Sequence, residues 1–148
     1  SPSLKPYSIL RNDVRFQPVM QLKSRIIQIN RIPKGHYLSY GRKYMTQRDS
    51  LIATLPVGYA DGLTRRLSGK MSVLVNGKKI PQVGNICMDM CLIDVTQLPD
   101  VQVGDEAVIY GRQKEETITV EEVAEQCGTL PYEILCAVSK RVPRVYLP

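Results

Sequence analysis

The sequence predicts a mainly β domain, arranged as a barrel or sandwich, with one or two short helices near its C-terminus. Three observations point there. Short runs rich in β-branched residues recur between turn signals. Asn76-Gly77 sits between two such runs, the pairing that favours a tight hairpin. Helical periodicity is confined to the stretch after Thr119. The chain has 148 residues, the size of one domain, and 43% of them are hydrophobic. A chain of that length buries about 68–70% of its unfolded surface, enough for a core without staples.

The first 18 residues hold Pro2, Pro6 and Pro18 with little periodicity. Residues 1–17 read as a linker and 18–148 as the folded domain. Residues 19–31 mix apolar, polar and β-branched side chains and read as one long strand. Pro33-Lys34-Gly35 is a turn signal, followed by strand-like runs at 36–40 and 51–57. The runs 71–75 and 78–83 flank Asn76-Gly77, whose residues both tolerate positive φ, so a type I′ hairpin is expected. Further runs lie at 90–95 and 106–110. Thr119-Val120-Glu121-Glu122 has the form of a capping box, in which Thr119 caps the Glu122 N–H and Glu122 reaches back. Val120, Val123 and Ala124 give that helix its apolar face, and Gly128 ends it. A second helix is expected from Pro131 towards Ser139, with Ile134, Leu135 and Val138 inward and Pro143 stopping it.

Composition narrows the function. No apolar run reaches the roughly 18 residues of a membrane helix, and Ser1-Pro2-Ser3-Leu4-Lys5-Pro6 has no apolar signal core. Net charge is +6, but the basic residues are scattered in pairs such as Arg42-Lys43, Arg65-Arg66, Lys78-Lys79 and Lys140-Arg141. The alternation of basic and aromatic residues that a single-strand binder needs is not seen. Neither nucleic acid nor a membrane is therefore expected as a partner. The charge suits a solvated surface or a pocket for an anion. Cys87, Cys91, Cys127 and Cys136 fit no zinc spacing, and His36 is the lone histidine, so no metal site is expected. The cysteines read as reduced, mostly buried thiols.

The aromatic usage is biased: eight Tyr, one Phe and no Trp. A tyrosine brings a hydroxyl that needs a partner when buried. Three of them sit in glycine-bearing or turn contexts: Ser39-Tyr40-Gly41, Gly58-Tyr59-Ala60-Asp61-Gly62 and Pro131-Tyr132-Glu133. They either cover the rim of the β structure or line a binding face. Gly84-Asn85-Ile86-Cys87-Met88-Asp89-Met90 places a carboxylate between two methionines, and Asp89 is an exposed loop carboxylate on the plainer reading. From the residues alone the destination is a mainly β domain with a Tyr-rich, Gly-bearing face.

The ordered set of motifs resembles the C-terminal β domain of alanine racemases over about residues 18 to 147. The matching stretches are Leu22-Lys23-Ser24-Arg25-Ile26-Ile27, Pro33-Lys34-Gly35 and Leu38-Ser39-Tyr40-Gly41-Arg42-Lys43-Tyr44. They continue with Pro56-Val57-Gly58-Tyr59-Ala60-Asp61-Gly62, Val75-Asn76-Gly77-Lys78 and Val83-Gly84-Asn85-Ile86-Cys87-Met88-Asp89-Met90. Tyr132-Glu133 and Arg141-Val142-Pro143-Arg144 complete the set. Each motif is weak by itself; their order is specific.

The resemblance implies a C-terminal β-barrel that follows an N-terminal (β/α)₈ barrel, with 1–17 leading from that barrel. It implies pyridoxal 5'-phosphate, held mainly by a lysine of the absent barrel, and a cytoplasmic, head-to-tail homodimer that interconverts L- and D-alanine for peptidoglycan. Each active site then combines one barrel with the partner's β domain, and the β domain alone is expected to be inactive. Tyr40 matches the second catalytic base, facing the barrel lysine across the substrate α-carbon. A free phenol has a pKa of about 10, so such a base needs neighbours that stabilise phenolate. Tyr59 and Met88 match residues at the substrate end of the pocket, where Met88 would use its backbone N–H. Tyr132 matches the residue that bonds the cofactor phosphate in its own subunit, and it favours alanine over serine. Lys140 departs from the family pattern and has no role assigned. The competing readings are a serine-preferring racemase, a nucleic-acid-binding β-barrel module and a catalytically silent interaction domain.

Overall fold

The computed structural model describes residues 17–147, so the expected linker lies outside the described residues except for Gln17. An antiparallel sheet forms the body. Its strands are β1 (Leu22–Arg25), β2 (Gln28–Ile32), β5 (Ser50–Leu55), β6 (Ser72–Val75), β7 (Lys78–Val83), β8 (Cys91–Asp94) and β9 (Glu106–Gln113). They run in the order β1-β9-β6-β7-β8-β5-β2, and β10 (Glu116–Ile118) pairs with the far part of β9. A separate two-stranded ribbon joins β3 (Tyr37–Leu38) to β4 (Tyr44–Met45).

The long strand expected over 19–31 is split at Ile26 and Ile27. The Ile26 N–H donates to the Asp105 carbonyl at 3.0 Å, beside β9, and the Ile27 N–H donates to the Thr54 carbonyl at 3.0 Å, on β5. One stretch thus serves both ends of the sheet: β1 lies on β9 and β2 lies on β5. The sheet is mainly β as expected but does not close into a barrel, because β1 and β2 do not pair with each other. Changing neighbours costs the segment a continuous ladder at the point of exchange. Ile26 turns into the core at 1% exposure while Ile27 faces out.

The hairpin forms as expected. Asn76 has φ 52° and Gly77 φ 78°, the left-handed pair of a type I′ turn. The run 36–40 shrinks to the two residues of β3. Ser39 at φ 66° leaves the extended region there, and Tyr40–Arg42 curl into a 3-10 turn. Strand β9 outruns its expected end at 110 because β1, β6 and β10 all pair along it. β10 is too short to show a period of its own.

Two helices follow, α1 (Val120–Cys127) and α2 (Pro131–Ala137). The Thr119 hydroxyl accepts the Glu122 N–H at 3.1 Å. The Glu122 carboxylate does not reach back; it pairs instead with Lys79 Nζ on β7 at 3.2 Å. A salt bridge that ties helix to sheet has replaced the second half of the capping box. Val120, Val123, Ala124, Ile134 and Val138 are buried as expected, and Gly128 ends α1 in the left-handed region.

Among the described residues no helix is long and apolar enough to cross a membrane, and no group of His, Cys, Asp and Glu could hold a metal ion. All four cysteines are free, yet only Cys91 is buried; Cys87 and Cys127 are half-buried and Cys136 is exposed. Burial pushes the Cys91 thiol up to about 12, which leaves it inert as a nucleophile. The tyrosine bias also resolves. Tyr110 is a core residue whose hydroxyl has no partner among the described residues, whereas Tyr37, Tyr40, Tyr59, Tyr132 and Tyr146 are exposed.

The core lies inside the curved sheet and under α1, with Val73, Leu74, Ile93 and Ile109 fully shielded. Truncation of Ile93 to Ala on β8 should cost about 2–5 kcal/mol, the range for removing a buried branched side chain. Chemical denaturation monitored by circular dichroism checks this, with a lowered midpoint and an unchanged slope expected.

Candidate functional site

Tyr40 stands on a turn that its own backbone disfavours. Ser39 and Arg42, on either side of it, take φ of 66° and 50°. Non-glycine residues held there cost about 1–3 kcal/mol each and persist only where surrounding contacts hold them. The contacts come from the loop after β7. Ser39 Oγ accepts the Asn85 N–H at 2.8 Å and donates to the Asn85 carbonyl at 3.1 Å. Asn85 Nδ2 donates to the Tyr40 carbonyl at 2.7 Å. Arg42 lies over the Tyr37 ring, 6.0 Å from its centroid. Tyr40 is left 79% exposed on this pedestal.

Tyr59 is presented differently, by a close meeting of two backbones. A Cβ on Gly58 would lie 2.2 Å from the Cys87 carbonyl oxygen, so only glycine fits. That approach lets the Tyr59 N–H donate to the Cys87 carbonyl and the Ala60 N–H to the Met88 carbonyl, each at 3.0 Å. Asp61, 8% exposed, closes the turn: its Oδ2 accepts the Gly58 N–H at 2.9 Å. Arg141 meets the same carboxylate with Nε to Oδ1 at 2.6 Å and Nη2 to Oδ2 at 3.1 Å. This two-point ion pair holds the Asp61 carboxyl below the usual carboxylate range against the opposing effect of burial.

Tyr40, Tyr59 and Met88 line one open depression of about 280 Å³, together with Arg65, Asn85 and Cys87 over the buried Ile86. Tyr132 does not line it; it sits exposed in the first turn of α2. Four contributors to this region escaped the sequence reading: Asn85, Arg65, Asp61 and Arg141. Asn85, Asp61 and Arg141 fall within the ordered motifs, which give them no role of their own. Asp89 is an exposed loop carboxylate as expected, and it also accepts a hydrogen bond from Arg141 Nη2 at 2.5 Å.

Two phenols, a guanidinium and an apolar floor suit a small polar ligand that carries an anionic group. Such ligands are normally enclosed over most of their surface, and this depression is open. The fold and the depression together define a mainly β domain with one open, tyrosine-lined face.

Residues 19–146 match the family of the alanine racemase C-terminal domain. Alanine racemase 1 of Clostridium acetobutylicum is 53% identical over 137 residues, covering 93% of this chain and 36% of that protein. The crystal structure of alanine racemase from Bacillus anthracis with bound L-Ala-P superimposes with a TM-score of 0.90 at 40% identity, over 100% of this chain and 37% of that one. The crystal structure of alanine racemase from Bartonella henselae with covalently bound pyridoxal phosphate gives a TM-score of 0.79 at 37% identity, over 86% and 34% of the two chains. The chain belongs to the alanine racemase C-terminal domain family, and it spans about a third of the length of the relatives it matches.

The Asp61 ion pair has a pH signature. The folded state holds this carboxyl below its unfolded value of about 3.9. Its contribution to stability is therefore present above that value and lost as pH falls through the folded one. Thermal unfolding followed from pH 7 to pH 2.5 should show a smaller acid decline of Tm for Asp61→Asn than for the wild type, from a lower starting value at neutral pH.

Proposed function

We propose that this chain is the β domain of a pyridoxal-phosphate-dependent alanine racemase, in which Tyr40 is one of two bases that exchange the α-proton of alanine. The observation that carries the reading is the shared depression of Tyr40, Tyr59 and Met88, which reach it from three separate segments. In this proposal residues 18–148 are the β domain and 1–17 lead from an N-terminal barrel. The domain of one subunit covers the barrel of the other in a cytoplasmic homodimer, and the product D-alanine serves peptidoglycan. The openness of the depression supports the dimer, since an opposing surface is needed to exclude water. Four unpaired cysteines are consistent with a reducing compartment.

The donors present fit the substrate side of such a site. Among the described residues no lysine lines the depression, and in this proposal the cofactor is attached to a lysine of the N-terminal barrel. Tyr132, with an exposed phenol, would hold the cofactor phosphate through its hydroxyl. When bound, pyridoxal phosphate supplies the electron sink that allows the α-proton to leave.

Inversion requires a proton to leave the α-carbon from one side and return from the other, hence two groups on opposite faces. The Tyr40 hydroxyl works on one face: it gives its proton to the α-carbon in one direction and takes it in the reverse. The pedestal built by Ser39 and Asn85 keeps that hydroxyl in register without using it as a structural donor. Tyr59 and the Met88 N–H hold the substrate carboxylate, with Arg65 supplying positive charge at the same depression. Cys87 and Ile86 close the floor.

In the full-length enzyme Tyr40→Phe should lower racemisation in both directions by about 10²–10⁴-fold, the usual contribution of a positioned acid–base group. Deuterium uptake at the α-carbon should persist for D-alanine and nearly stop for L-alanine. Equal uptake from both enantiomers at near wild-type rates would remove Tyr40 from this role.

Tyr132→Asn should shift the serine-to-alanine ratio of kcat/KM towards serine by up to about 10²-fold, since a pocket discriminates only modestly against an added hydroxyl. An unchanged ratio would count against the placement of Tyr132.

A further inference from the structure

We infer that Arg141 is a positioning residue of this site: its guanidinium locks the turn that carries Tyr59 to the loop that carries Met88, and so sets the substrate wall that the Tyr40 pedestal does not control. The inference rests on the racemase reading for what the wall binds, and on geometry alone for the lock.

Arg141 does not line the depression. It lies behind it and touches the two segments that do. One side of its fork closes on Asp61, two residues beyond Tyr59, and Nη2 also reaches Asp89, next to Met88. The Arg141 segment is itself anchored to the same turn, because the Ser139 N–H donates to the Asp61 carbonyl at 3.1 Å. Three distant pieces of chain meet at one cation.

The two arms of the fork differ in kind. The Asp61 side chain is 12% exposed and meets Arg141, itself 49% exposed, at two points. The Asp89 side chain is 54% exposed, where an ion pair adds little to folding. What the Asp89 arm does add is direction: it draws the 87–89 loop towards the same guanidinium that fixes the 58–62 turn. Tyr40 hangs on a separate set of bonds, through Ser39 and Asn85. The wall is thereby divided. Tyr40 moves the proton on one support, while Tyr59 and Met88 hold the substrate on the other.

A lysine cannot reproduce this. Its ammonium has three donors on one atom but no planar fork, so it cannot meet Asp61 at two points and still span to Asp89, as the guanidinium does. Loosening the lock should therefore weaken substrate binding more than proton transfer.

The test uses the full-length enzyme as wild type, Asp89→Asn, Arg141→Gln and Arg141→Lys. Steady-state kinetics with alanine are read beside amide hydrogen exchange of 58–62, 87–90 and the sheet strands. In Asp89→Asn, KM is expected to rise about 3- to 10-fold with kcat within about twofold, the pattern of lost uniform binding. Exchange at the Tyr59 and Ala60 amides should speed by about tenfold while β6 and β8 are unchanged, the pattern of local opening. Arg141→Gln should show both effects more strongly and Arg141→Lys should fall between. Unchanged KM and unchanged exchange at 58–62 in Asp89→Asn would overturn the inference. So would acceleration of exchange across all strands together with equal losses in kcat and kcat/KM. If Arg141→Gln does not fold, Asp89→Asn decides alone. A wild-type enzyme that fails to racemise alanine would sink the functional reading, while the exchange data would still judge the lock.

Discussion

The carboxylate of Asp61 is the point on which the architecture of the site depends. It accepts the Gly58 N–H, so it closes the turn that presents Tyr59. It takes the Arg141 fork, so it ties that turn to the C-terminal segment. Its own main-chain carbonyl accepts the Ser139 N–H. A carboxylate this shielded is tolerable only because every charge it carries is matched by a donor. Remove the matching groups and only the Tyr59 and Ala60 N–H bonds are left to hold the 58–62 turn against the Cys87 and Met88 carbonyls.

The close approach of Gly58 to those carbonyls carries the consequence into the site. Two main chains that touch cannot place their side chains independently, so Tyr59 and Met88 arrive as a pair. Tyr40 is brought by a different device, a strained turn braced by the Asn85 loop. The 84–89 loop is common to both devices: its first part braces Tyr40 and its last part receives the Tyr59 turn. The site is thus assembled around one loop between β7 and β8, and the sheet order that sets those two strands side by side is what positions it.

Rigidity and exposure are divided accordingly. The sheet interior and α1 hold the fully shielded residues, while the site tyrosines stand clear of the surface. A domain that completed its own pocket would have folded those side chains inward. Here their exposure leaves the depression open, in a chain that spans about a third of the length of the relatives it matches.

The sequence by itself determined the local features. The Asn76-Gly77 hairpin, the Thr119 cap, the Gly128 stop and the late helices follow from φ preferences and periodicity within a few residues, and the structure contains them. The sequence also marked Tyr40, Tyr59 and Met88, each beside glycine or an unusual neighbour, and the ordered motifs pointed to the family. It did not reveal that 22–32 would divide between two ends of the sheet, since Ile26 and Ile27 look alike until their neighbours are known. It did not join Arg141 to Asp61, 80 positions away, or Asn85 to Tyr40, 45 positions away. Glu122 shows the same limit in small: its local motif offered a capping box, and a lysine on β7 took the carboxylate instead. Local signals record what a residue can do with its own backbone, whereas strand order decides which distant partner competes for it, and that competition exists only in the folded chain.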